Sequence, residues 1–184
     1  MRWLLSLAAA SNLSVALATI ALHGWNAAGA HAAARNTARF SSVWFMAAFA
    51  APGLSRLVRG LPAAARLVQA FVAAHLVHFA IVAALIASFE RAHLVQKPLA
   101  SAAILVFGFS LVVGAGLTAT PRGSRLYSRL YTVTLYVLFL IFSVAFAQNA
   151  VKPLRLMVVP LALAFLLRLT SGWTFYTARV KSPN

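Results

Sequence analysis

The sequence predicts an all-α integral membrane protein, a bundle of six transmembrane helices. Three observations carry that expectation. Of 184 residues, 62% are hydrophobic, and the mean hydropathy is +0.88, whereas a soluble domain is about half apolar. Apolar stretches near the roughly 20 residues that a bilayer crossing requires recur along the chain. These stretches do not alternate apolar with polar residues, which excludes a closed β-barrel.

The first helix is read at about 3–22. "MRWLLSL" with the following apolar run and "AGAHA" also has the form of a secretory signal peptide with a small-residue cleavage site; the helix reading is adopted. Ser6, Ala10, Ser14 and Ala18 fall four apart on one stripe. Small residues so spaced let helices approach closely in lipid, inside this bundle or, alternatively, against another subunit. The second helix is read at about 40–58, interrupted near Pro52-Gly53, and the third at about 64–89. The fourth, about 98–118, carries a similar small face of Gly108, Ser110, Gly114 and Gly116. The fifth is read at about 127–147 and the sixth at about 153–173, kinked by Pro160. The connections are short and no repeat is visible, so residues 1–184 read as one transmembrane domain.

Charge is lopsided: 16 Lys and Arg against one acidic residue, for a net +15. The basic residues are scattered through short loops, which points to topology signals and contact with the lipid bilayer and its anionic lipids, not to nucleic acid. Ten of them (Arg2, Arg56, Arg59, Arg66, Arg122, Arg125, Arg129, Arg168, Arg179 and Lys181) fall on the N-terminal side. The other six, Arg35, Arg39, Arg91, Lys97, Lys152 and Arg155, fall opposite. The positive-inside rule then puts both termini in the cytoplasm. Without cysteine there is no disulfide, thiolate nucleophile or iron–sulfur cluster. A single carboxylate excludes a paired-carboxylate acid/base site and a hard-cation cage.

Within "AFVAAHLVHFAIVAAL", residues 70–85, two histidines interrupt an apolar run. At about 1.5 Å per residue, His75 falls about 16 Å into the third helix, near the midplane, with His78 one turn further. Polar side chains at that depth are expensive and often functional. Neutral imidazole ligates haem iron or a transition metal, which makes His75 and His78 candidate metal ligands. The plain alternative is a hydrogen bond from each to a neighbouring helix. His23, His31 and His93 lie near the outer helix ends without a tight ligand spacing. Trp3, Trp25, Trp44, Trp173, Tyr127 and Tyr176 read as an interfacial aromatic belt, and Phe139, Phe142 and Phe146 as packing or lipid contact.

"ARNTARFSSVWFMAAFAAPGLSRL", "RLVQAFVAAHLVHFAIVAALI" and "SRLYSRLYTVTLY" resemble bacterial members of the ferric reductase-like transmembrane family, six-helix haem b proteins, over about residues 35–170. The resemblance implies a cytochrome b-like electron-transfer protein of the bacterial inner membrane that exchanges electrons with a redox partner. It carries the third-helix haem ligand onto His75, with His78 as the second choice. The family's fifth-helix histidine is here Tyr131. Three arrangements follow: Tyr131 as a phenolate ligand, His23 as a substitute ligand, or a haem-free member. Arg35 and Arg39 are placed to pair with haem propionates or to snorkel at the interface. The competing expectation is a haem-free structural or accessory subunit of a larger membrane complex.

Overall fold

The computed structural model describes residues 3–91, 98–119, 124–148 and 155–180. Among them all regular structure is helical: α1 (Trp3–His23), α2 (Ala27–Leu54), α3 (Ala64–Phe89), α4 (Pro98–Thr118), α5 (Arg125–Gln148) and α6 (Arg155–Val180). Three helices of the described residues, Trp3–His23, Ala64–Phe89 and Arg125–Ala147, are long and apolar enough to cross a membrane. Shorter apolar runs occupy Val106–Thr118 and Met157–Thr170.

A two-way polar clamp turns α1 into α2. Gly24 adopts φ +76°, which L-residues with side chains rarely do, and its amide donates to the Ile20 carbonyl at 2.7 Å. Asn26 caps α2: its Oδ1 accepts from the Gly29 amide and its Nδ2 donates to the His23 carbonyl, each at 3.0 Å. The second helix therefore begins at Ala27, not near Phe40, and runs to Leu54. "ARNTARFSS" looks like an outer loop by hydropathy, yet it is helical, and all its polar side chains but that of the exposed Arg35 are hydrogen-bonded. Asn36 Nδ2 donates to Thr19 Oγ1 at 3.2 Å, and Arg39 to Asn36 Oδ1 at 3.4 Å. Nor does Pro52-Gly53 interrupt the helix in the middle; it falls in the last turn, so little helix lies beyond the point where Pro52 removes a backbone donor.

α2 is the central element, packed on α1, α3 and α6, while α4 joins α3 to α5. Its inward face is built of small and aromatic residues. Ala30, Ala33, Thr37, Ser41 and Ala48 are fully buried or nearly so and let α1 and α3 come close. Phe45 and Phe49 then fill the wider gap towards α5. Phe45 lies 5.2 Å from Phe71 and 5.0 Å from Phe142, and Phe49 stacks on Phe139 at 4.7 Å (ring centroids). The Phe face of α5 is thus core packing. Trp44, partly buried, also packs against this core. The side chains of Trp173 and Tyr176 lie outside the described residues.

The stripe of small residues on α1 points the other way. Leu4, Ala8, Asn12, Ala16 and Thr19 face the bundle, and Ser6, Ala10, Ser14 and Ala18 are exposed. The expectation of inward packing for that stripe is corrected: it is offset by two residues, about 200° of helix, from Leu4, Ala8, Asn12 and Ala16, which claim the inner face. On α4, Gly116 faces Val72 and Gly108 faces Phe79, both on α3. At Gly53 a Cβ would run into the Leu167 backbone carbonyl on α6. Gly53→Ala is expected to destabilise by about 1–3 kcal/mol, as overpacking does, and Ser14→Leu to leave thermal unfolding in detergent unchanged.

Candidate functional site

The chemistry-bearing groups of the interior meet where α2 crosses α3. Ser41 Oγ lies 2.7 Å from His75 Nδ1, and Thr37 Oγ1 lies 3.1 Å from His78 Nδ1. Four residues separate Ser41 from Thr37 on α2 and three separate His75 from His78 on α3. Each pair is therefore one helical turn apart, and the two bonds form successive rungs between antiparallel neighbours.

The position of the protons follows from the acceptors. A hydroxyl has one hydrogen. Ser41 Oγ sits 2.9 Å from the Ala38 carbonyl, and Thr37 Oγ1 sits 2.8 Å and 3.0 Å from those of Ala33 and Ala34. Carbonyls only accept, so both hydroxyls donate back along α2 and have lone pairs left for α3. Each imidazole then donates its Nδ1–H. The tautomer assigned in this way leaves Nε2 of both rings with a bare lone pair.

The rings are enclosed by aromatics. His75 is buried, with ring-centroid distances of 5.2 Å to Phe71, 4.9 Å to Phe79, 5.7 Å to Phe142 and 4.9 Å to His78. Asn12 of α1 supports the same level of α3, its Nδ2 donating to the Ala74 carbonyl at 2.6 Å. Its Oδ1 is buried without a protein partner among the described residues.

The other expected site residues do not converge here. Tyr131 is eleven residues from Phe142 on α5, about 16 Å of helix away from the ring that touches His75. Its hydroxyl is buried without a protein partner among the described residues. His23 is eleven residues beyond Asn12, about 16 Å along α1 from the level of Ala74, and is exposed. Arg35 is exposed and Arg39 half-buried, both within α2 and not at its start. First-row metals hold nitrogen and oxygen ligands at about 2 Å, so neither Tyr131 nor His23 can share an iron with His75 in this arrangement. The residues present do not fit a bis-ligated haem. No group of three or more His, Cys, Asp or Glu with metal-binding geometry occurs among the described residues. His31 pairs instead with Glu90 at 2.7 Å; His93 lies outside the described residues.

Two polar residues of consequence escaped the sequence reading, Asn12 and Arg168. Arg168 lies in an apolar run of α6, donates to the Phe49 carbonyl at 3.3 Å, and stands 5.3 Å from the Phe49 ring and 6.0 Å from that of Tyr136. It was read only as a topology signal. An ionisable or amide side chain inside an apolar run is the signal that marks both.

No family model, curated protein or solved structure matches the chain. The site therefore rests on its own geometry.

A double-mutant cycle on Ser41→Ala and His75→Ala is expected to give a coupling of about 0.6 kcal/mol, with about 1.7 kcal/mol the upper range for interhelical hydrogen bonds in membranes. Unfolding in mixed micelles measures it. Additive single effects would remove the bond from the account.

Proposed function

We propose that this chain is a haem-free structural or accessory subunit of a larger membrane protein complex. All six helices are taken to span the bilayer, with both termini on the cytoplasmic side of the bacterial inner membrane. One observation carries the proposal: the histidines of α3, the most reactive groups of the interior, have their Nδ1 atoms against the Ser41 and Thr37 hydroxyls, and the His75 ring is enclosed by Phe71, Phe79 and Phe142. In this role they are donors that fix the register of α3 against α2. The exposed small-residue stripe of α1 suits contact with another subunit's helix. α2 contains polar residues because it is wrapped by α1, α3 and α6, so its own composition need not meet the demands of lipid.

A second reading keeps the resemblance to the ferric reductase-like family and treats the chain as an electron-transfer protein with haem b on His75. Its support is the bare Nε2 lone pair, because metal-bound histidines characteristically donate their other ring N–H to the protein, as His75 does to Ser41.

An absorption spectrum of the protein purified from haem-replete cells, oxidised and then dithionite-reduced, separates the two. The structural reading predicts a colourless, folded protein. A Soret band that disappears in His75→Ala would overturn it in favour of the cytochrome.

A further inference from the structure

A cavity of about 320 Å³ lies at the rim where α1 begins, between its first turn and the segment leading into α3. Trp3 and Leu4 form one wall, and Gly60, Pro62 and Arg66 the other. Gly60 turns the segment with φ +79°, and Leu61 anchors it on the core. Arg66 projects from the first turn of α3 and is exposed.

The counterion of Arg66 is the open question. The chain contains one acidic side chain, Glu90. It caps the far end of α3, twenty-four residues and about 36 Å away, and is already bonded to His31 at 2.7 Å. No carboxylate side chain of the protein can reach Arg66, so a phosphate from outside meets no competing carboxylate side chain there. Arg56 and Arg59 in the same segment raise the local positive charge further.

We propose that this cavity binds the headgroup of an anionic phospholipid, with the Arg66 guanidinium on the phosphate. Three properties fit that ligand. The planar guanidinium fork matches phosphate oxygens in pairs. Trp3 is 63% exposed beside the cavity, and tryptophan settles at headgroup depth. Arg66, with Arg56 and Arg59 in the segment that leads to it, disfavours a headgroup cation, so a lipid with net negative charge is preferred over a zwitterionic one.

The site rests on the membrane reading, and the experiment keeps the two apart. Stable behaviour in detergent micelles tests the membrane reading; lipid affinity then tests the site. Native mass spectrometry of the full chain is carried out with added phosphatidylglycerol or phosphatidylcholine. The expected result is preferential retention of phosphatidylglycerol, about fivefold weaker in R66Q, the size of one basic side chain's attraction to an anionic surface. R91Q at the opposite rim leaves the affinity unchanged, and millimolar inorganic phosphate does not displace the lipid. Equal affinity in wild type and R66Q, equal retention of the two lipids, or displacement by inorganic phosphate would each overturn the proposal.

Discussion

A polar atom in hydrocarbon must find its partner inside the protein, and the contact between α2 and α3 follows from that constraint. Imidazole nitrogens inside an apolar bundle have no water to turn to, and an unsatisfied polar group buried there is costly. The side chains able to meet them are hydroxyls one turn apart on the next helix, Thr37 and Ser41. Hydroxyls with no acceptor of their own would compete to donate to the same imidazole nitrogens. These two donate to their own helix, which leaves lone pairs facing outward and fixes both imidazoles as Nδ1–H donors. A one-turn slip of α3 would break both rungs together, so the pair specifies register more than it adds net stability.

The rest of the bundle is arranged around that register. With α3 fixed, Phe71 meets Phe45, and both meet Phe142 of α5. On the other side of α2, the missing Cβ of Gly53 lets the Leu167 backbone lie against it, and this close approach brings Arg168 to the Phe49 carbonyl. A guanidinium in an apolar run is tolerable only where a carbonyl and aromatic faces replace its hydration; Phe49 supplies both, and Tyr136 a second face.

Hydropathy made the all-helical class legible, because five of the helices contain long apolar runs. It misplaced the start of α2 for a physical reason. A helix sheathed by three others can carry Asn36, Thr37, Arg39 and Ser41, and a scale built on transfer to lipid reads those residues as loop. The local signals for the true start were present in Gly24 and Asn26, a helix stop followed by an N-cap. The histidines were legible as interior polar residues, but their partners were not: which hydroxyl faces which imidazole depends on the rotation of two helices about their axes. The same holds for Tyr131, whose depth on α5 separates it from His75 although motif comparison aligned the two as ligands.

The central claim is the hydrogen-bond state of the two buried rings. Nitrogen-15 NMR on histidine-labelled protein in lipid bilayers reads it directly, with His75→Ala and His78→Ala assigning the signals. The account predicts that both rings are neutral, carry their proton on Nδ1, and that the His75 signal moves in Ser41→Ala and the His78 signal in Thr37→Val. A proton on Nε2 in either ring, or signals indifferent to the loss of the hydroxyls, would contradict it.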